Sequence, residues 1–220
     1  STNDPKDRTR SQGLLSTFTV SSLRLASVPS EWKLRERLVD FFNEGLMPVV
    51  PRQGSLGASG DLAPLSHMCL PLMGEGELMQ QDAKGQWRTR PAADIHQEKG
   101  WSPIDLGPKE GLALINGTQM MSALLAHSLQ HLEHLWTEAH GIASLSLAAF
   151  EGLGAPFHPA VHDLRQHAGQ QASAGEMRRW LEGAAFLRET HEWVQDPYSF
   201  RCIPQVYGAV RTAIDRGIET

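Results

Sequence analysis

The amino-acid sequence predicts a mainly α-helical protein whose longest helices pack as a bundle. Apolar residues recur at helical spacing in residues 32–44 and 109–150, and residues 204–220 are predicted as a final helix. The middle segment, if unbroken, forms a helix of roughly 60 Å, a length that is typical of helical bundles. Strand patterns are sparse, and only one short hairpin is expected, around residues 86–88.

The first helix is bounded by cap signals, and shorter helices are expected late in the chain. Ser30 is predicted as the N-cap of residues 32–44, and Gly45 as the residue that ends the helix. Prolines then favour an extended segment, because each restricts the residue before it. The remaining predictions are an extended segment at 47–51, helices at 160–167 and 173–188, and a break at 193–202.

Composition narrows the class of protein. Hydrophobic residues make up 40% and charged residues 20% of the 220-residue chain, and the formal net charge is -5, so a nucleic-acid partner is not expected. No apolar run reaches the ~18 residues of a membrane span, and the N-terminus carries no apolar signal region. The two cysteines, Cys69 and Cys202, are expected to be reduced, as in a cytoplasmic protein.

A glycine-rich stretch, GSLGASGDLAPL at residues 54–65, stands immediately before a predicted helix. Asp61 is predicted to cap that helix, with Pro64 in its first turn. A phosphate-binding loop is excluded because the stretch lacks G-x-x-x-x-G-K-[ST], and a nucleophile elbow because no glycine follows Ser59 by two residues. Without further signals, a loop that simply begins a helix would be the ordinary interpretation.

Within this stretch, Ala58-Ser59-Gly60 resembles the signature of the histidine and aromatic amino-acid ammonia-lyases. In that family the glycine nitrogen attacks the alanine carbonyl, and two water molecules leave, one of them carrying the serine hydroxyl. The resemblance implies a 4-methylideneimidazol-5-one group formed autocatalytically from residues 58–60, with no external cofactor and no metal. Small residues suit this cyclisation because they tolerate a strained backbone.

Two further stretches, EGLALINGTQ and QDPYSFRCIPQ, are similar to the second and third motifs of the same family. The resemblance implies that Asn116 contacts the prosthetic ring and the substrate, and that Arg201 binds the substrate carboxylate. A guanidinium suits that role because it can donate two parallel hydrogen bonds. Tyr198 and Gln195 are expected to line the same site. Outside the motifs, Asn116 would be interpreted as a helix cap, Arg201 as a surface ion pair and Tyr198 as a core aromatic.

The resemblance covers most of the chain but only the central segment of the family. Residues 1–29 match poorly, and residues 30–220 are predicted as one truncated ammonia-lyase core of the fumarase/aspartase-like long-helix type. Family members are homotetramers, so a homo-oligomer is expected. Their catalytic tyrosine base and part of their pocket come from regions outside this match. We therefore expect residues 1–220 alone to turn over histidine negligibly.

The implied reaction is the non-oxidative deamination of L-histidine to trans-urocanate and ammonia. The stretches VVPRQGS and SHM favour the histidine branch. The alternatives are a phenylalanine or tyrosine lyase, an aminomutase with the same electrophile, and a helical oligomerisation module without activity. Three histidines at helical spacing, His127, His131 and His134, are interpreted as a solvated or interface face rather than a metal site.

Overall fold

A computed structural model describes residues 13, 32–51, 53–185, 187–189 and 194–220. Most of these residues are helical, which confirms the mainly α class. The chain divides into two compact units, residues 1–127 and 128–220, and each is described by itself. The predicted Ser30 cap lies outside the described residues.

The first unit combines short helices with a small antiparallel sheet. Its elements are α1 Trp32–Asn43, β1 Met47–Pro48, α2 Leu62–Cys69, β2 Glu77–Gln81, β3 Trp87–Pro91, α3 Ala92–Lys99 and α4 Glu110–Ile115, followed by the start of α5 Gln119–Ala149. The strand order is β1-β2-β3, with Met79 opposite both Met47 and Thr89. The expected hairpin is present and is longer than the sequence indicated.

The core of the first unit is built from α1 and α2 together with residues of β2, α3 and α4. Leu34, Leu38 and Phe41 face inward from α1, at the predicted helical spacing, and Leu65 and Met68 face inward from α2. As predicted, Gly45 follows α1, and its positive φ of 65° is the left-handed conformation of a glycine that ends a helix. Helix α3 was not predicted, because so short a helix buries few apolar residues and shows little periodicity.

The predicted continuous helix over residues 109–150 is wrong. The chain breaks at Asn116, Gly117 and Thr118, which separate α4 from α5. Asn116 leaves helical geometry at ψ 76°, and the carbonyl of Gly117 accepts a hydrogen bond from Asp61 N at 2.8 Å. The tertiary contact therefore replaces helical hydrogen bonds at this point. Helix α5 still has 31 residues.

The second unit packs the later part of α5 against shorter helices. They are α6 Pro159–Asp163, α7 Ala168–Trp180, α8 Tyr198–Arg201 and α9 Ile203–Glu219. The last helix agrees with its prediction, whereas α6 and α7 end earlier than residues 167 and 188. Helices α7 and α9 cross closely at Gly169 and Gly208, where a Cβ on Gly169 would collide with the carbonyl oxygen of Gly208.

A fully buried histidine joins α5, α7 and α9 in the second unit. His140 Nδ1 donates to the carbonyl of Trp136 at 2.7 Å, so its Nε2 accepts from the hydroxyl of Ser173, also at 2.7 Å. The ring of Tyr207 packs edge-on at 5.0 Å. Desolvation by burial lowers the pKa of His140, although the Trp136 carbonyl and Glu176 act in the opposite direction.

Both cysteines are free thiols. Burial raises the pKa of the Cys69 thiol to about 12, which makes it a poor nucleophile. No helix in the described part of the chain combines the length and the hydropathy that a membrane crossing requires.

Candidate active site

Asp61 connects the glycine-rich stretch to the start of α5. Asp61 occupies the predicted N-cap position of α2, but its side chain makes no capping hydrogen bond to that helix. Instead Oδ2 accepts from Met121 N at 3.0 Å in the first turn of α5, and Oδ1 accepts from the hydroxyl of Ser55 at 3.3 Å. The carboxylate is 1% exposed and lies where the partial positive charge of a helix N-terminus stabilises it.

Gly60 is buried against the turn that separates α4 from α5. Its φ is 145°, a conformation that L side chains rarely adopt. A Cβ atom at Gly60 would lie 2.7 Å from Gly117 N, 3.0 Å from Gly117 O and 3.1 Å from Asn116 Oδ1. The glycine therefore permits a backbone approach that no other residue could make, and it brings the tripeptide beside the Asn116 side chain.

Ala58 and Ser59, in contrast to Gly60, are exposed. Ala58 N donates to the carbonyl of Leu56 at 2.9 Å, which makes a tight turn just before the tripeptide. A ring built from residues 58–60 needs small residues, an accessible serine hydroxyl and a glycine in a strained conformation. These residues fit the group that the resemblance implies.

The carboxamide of Gln119 covers the opposite side of Gly117. A Cβ at Gly117 would lie 2.7 Å from Gln119 Nε2, so a side chain at this position would require the Gln119 carboxamide to move. The Oε1 atom of Gln119 is buried and has no hydrogen-bond partner among the described residues. The sequence did not predict this contact, and its only signal was that Gln119 is the last residue of the EGLALINGTQ motif.

The residues of the third motif lie in the second unit. Arg201 Nε donates to the carbonyl of Asp196 at 2.9 Å, and the guanidinium carbon lies 5.3 Å from the centre of the Tyr198 ring. Tyr198 is 71% exposed, so the alternative of a core aromatic is wrong. Gln195 is exposed in the bend before α8. The structure thus groups Arg201 with Tyr198, and it groups Asn116 with residues 58–60 in the first unit.

The histidine-rich face of α5 carries no metal site in the part of the chain that the structure describes. No group of three or more His, Cys, Asp or Glu side chains there could hold a metal ion. His131 and His134 are exposed, which agrees with a solvated or interface face.

Comparison with known proteins identifies the family. The sequence profile of the family described as aromatic amino acid lyase matches residues 17–219, which is most of the chain. The chain belongs to the aromatic amino acid lyase family. The family resemblance predicted from the three motifs is thereby confirmed.

Individual family members agree with this assignment. The histidine ammonia-lyase of Symbiobacterium thermophilum is 48% identical over 181 residues, which are 82% of this chain and 35% of that protein. The solved phenylalanine ammonia-lyase of the yeast Rhododporidium toruloides matches with a TM-score of 0.81 and 29% identity, over 91% of this chain and 31% of its own. A tyrosine aminomutase from Streptomyces globisporus matches with a TM-score of 0.80 and 32% identity, over 93% and 41%.

The chain therefore spans about a third of the length of the curated relatives that it matches. Membership in the family is established by the match, whereas the roles of individual site residues stay predictions. The carboxylate of Asp61 and the backbone carbonyl of Asp196 belong to the geometry described above and were not predicted for it.

Proposed function

We propose that this chain is part of an enzyme that deaminates L-histidine to trans-urocanate and ammonia. The observation that carries the proposal is the burial of Gly60 against Asn116 and Gly117, inside the tripeptide that matches the family signature. The reaction breaks the Cα–N bond and a Cβ–H bond and forms a C=C double bond. It needs no oxidant, because no net electron transfer occurs.

Residues 58–60 would form and hold the 4-methylideneimidazol-5-one group. This group supplies an electrophilic methylidene carbon, which makes the amino group a better leaving group. Asn116 would hydrogen-bond the ring through its carboxamide, and the 3.1 Å distance between its Oδ1 and a Cβ built on Gly60 supports this role. The N–H of Met121, in the first turn of α5, binds Asp61 and so keeps the turn at residues 116–118 in position.

Arg201 would bind the substrate carboxylate, and Tyr198 and Gln195 would line the site beside it. Arg201 is half-buried, and its guanidinium carbon lies 5.3 Å from the centre of the Tyr198 ring. At this distance the ring stabilises the cation without occupying its hydrogen-bond donors. Exposure of Tyr198 leaves its hydroxyl accessible to a ligand.

Histidine is favoured over phenylalanine and tyrosine as the substrate. The support comes from the curated relatives at 44–48% identity, which are described as histidine ammonia-lyases. The matched structures do not separate the substrates, since the histidine ammonia-lyase of Trypanosoma cruzi and the tyrosine aminomutase of Streptomyces globisporus are both 32% identical to this chain. We further infer a cytoplasmic location from the free thiols.

A homotetramer is the assembly that the family resemblance implies, and the exposed apolar side chains of α5, such as Leu135 and Ile142, support an interface there.

The first test measures the intact mass of the 220-residue chain. Cyclisation lowers the mass by two water molecules, and Ser59→Ala, which has no hydroxyl to lose as water in forming the methylidene, should keep the mass of its plain sequence. A wild-type mass equal to that of the plain sequence would show that the group does not form in this chain, as in a non-catalytic module.

The second test measures the reaction. The matching segment of the Symbiobacterium histidine ammonia-lyase is replaced by this chain, and urocanate formation is followed by absorbance. Turnover of histidine above that of phenylalanine and tyrosine is expected. Preferential turnover of an aromatic amino acid, or formation of a β-amino acid, would contradict the proposal.

A further inference from the structure

We propose that Asp196 is a positioning residue that holds the Nε edge of Arg201, so that a substrate carboxylate binds end-on across the two terminal guanidinium nitrogens. This inference rests on the proposed role of Arg201. It adds a residue that the motif comparison did not assign, and it specifies which edge of the guanidinium is available.

The Asp196 side chain is fixed by the loop that follows α5. It is 2% exposed, and its Oδ2 accepts a hydrogen bond from Leu153 N at 2.6 Å. Short hydrogen bonds to a carboxylate are charge-assisted and stronger than neutral ones. A Cβ on Gly152 would lie 3.0 Å from the same oxygen, so the absence of a side chain at Gly152 permits the approach.

The loop that receives Asp196 is itself anchored at several points. Gly152 N donates to the carbonyl of Leu147 at 3.0 Å, and Arg188 N donates to the carbonyl of Gly152 at 3.1 Å. The side chains of Arg188 and Glu151 form an ion pair. Leu147 is fully buried in the core of this unit. Asp196 therefore connects the third motif to a loop that is hydrogen-bonded to the end of α5.

The backbone of Asp196 in turn fixes Arg201. Pro197 is the N-cap of the four-residue helix α8, and Arg201 N donates to its carbonyl at 3.3 Å. The Arg201 side chain turns back along this helix, and its Nε donates to the carbonyl of Asp196 at 2.9 Å. The position of that carbonyl depends on where the Asp196 carboxylate is anchored.

This arrangement leaves one edge of the guanidinium for a ligand. A carboxylate can bind a guanidinium with two parallel hydrogen bonds either side-on, through Nε and one terminal nitrogen, or end-on, through both terminal nitrogens. Within the described part of the chain, Nε is the only Arg201 side-chain nitrogen that donates a hydrogen bond. The Asp196 carbonyl occupies the side-on edge, so the end-on edge is the one that remains.

The charge of Arg201 supports the same conclusion. Among the described residues, no carboxylate forms an ion pair with it, whereas Arg179, Arg188 and Arg211 each pair with an acid. A half-buried guanidinium with its terminal nitrogens unpaired is suited to an anionic ligand. The negative charge of Asp196 interacts with Leu153 N instead.

The first experiment follows the Arg201 Nε–H by NMR in the ¹⁵N-labelled chain, with Arg201→Lys used to assign the signal. Slow hydrogen exchange is expected in the wild type. Asp196→Ala should raise the exchange rate about tenfold or more, because the carbonyl acceptor is no longer held in place. Asp196→Asn keeps an acceptor of the same shape without charge, and it should raise the rate about threefold.

A matched control is Asp215→Ala on α9, because this carboxylate pairs with Arg211 rather than with Arg201. It should leave the Arg201 signal unchanged. If Asp196→Ala does not fold, Asp196→Asn decides the question. Wild-type exchange in the Asp196 variants that fold would overturn the positioning role.

The second experiment measures affinity for L-histidine and for L-histidinol, which lacks the carboxylate. Misplacing the guanidinium should weaken L-histidine binding by about 10- to 100-fold in Asp196→Ala and leave histidinol binding unchanged. Equal losses for both ligands would overturn the end-on carboxylate site. Increased Nε–H exchange with no change in histidine affinity would contradict the proposed role of Arg201 while supporting the Asp196 contact, so the two failures are distinguishable.

Discussion

Gly60→Ala tests the close packing on which the candidate active site depends. The substitution places a methyl group in a backbone conformation of φ 145°, which strains a non-glycine residue by about 1–3 kcal/mol. The new Cβ would also lie 2.7 Å from Gly117 N and 3.0 Å from Gly117 O. Both are backbone atoms that cannot rotate away, and overpacking of this kind costs about 1–3 kcal/mol. The expected total is about 2–6 kcal/mol.

Gly54→Ala is the matched control in the same loop. Gly54 also has a positive φ, 111°, but a Cβ there would meet nothing within 4 Å. Its cost is therefore limited to backbone strain of about 1–3 kcal/mol. The difference between the two variants isolates the contact between Gly60 and the Asn116–Thr118 turn.

Two measurements check this prediction. Urea unfolding gives the free energy of unfolding of each variant, and amide hydrogen exchange reports on the Asp61 N–H, which donates to the Gly117 carbonyl. Gly60→Ala should expose that amide, whereas Gly54→Ala should not. Free energies of unfolding that agree within about 0.5 kcal/mol, together with a protected Asp61 amide, would refute the packing argument.

Two further predictions concern buried polar groups. Asp61→Ala removes the acceptor of Met121 N and should lower the free energy of unfolding, measured in urea, by about 0.5–2 kcal/mol. Asp61→Asn keeps an acceptor and should lose less stability. Equal losses in the two variants would contradict the capping role. Burial lowers the pKa of His140 below its ordinary value of 6.5. Between pH 6.5 and the lower folded-state pKa, the unfolded chain therefore binds more protons than the folded chain. The free energy of unfolding falls as the pH decreases through this interval. Because glutamine does not titrate, the melting temperature of His140→Gln should fall less between neutral and acid pH than that of the wild type. An identical pH dependence of the two proteins would contradict this prediction and would show that the contact with Ser173 tolerates the charged ring.

Local patterns were sufficient to place the first and last helices, whereas the bounds of α7 differ from the predicted residues 173–188. Apolar spacing predicted the inward face of α1, because helical periodicity is a property of a few consecutive turns. The same reasoning failed over residues 109–150. Asn116, Gly117 and Thr118 interrupt a helical pattern whose apolar residues continue on both sides, so the break leaves no trace in the periodicity.

The sequence by itself determined the helical class and, through three motifs, the family and the residues expected at the site. Those signals are chemical identities at fixed local spacing, and the Ala58-Ser59-Gly60 tripeptide needs no fold to be recognised. Only the tertiary structure decided that Asp61 caps α5 rather than its own helix, that Gly60 packs on Gly117, and that Asp196 meets Leu153. Asp61 and Met121 are 60 positions apart, and Asp196 and Leu153 are 43 apart. A carboxylate binds whichever donor the packing of distant segments brings to it, and local sequence does not encode that choice.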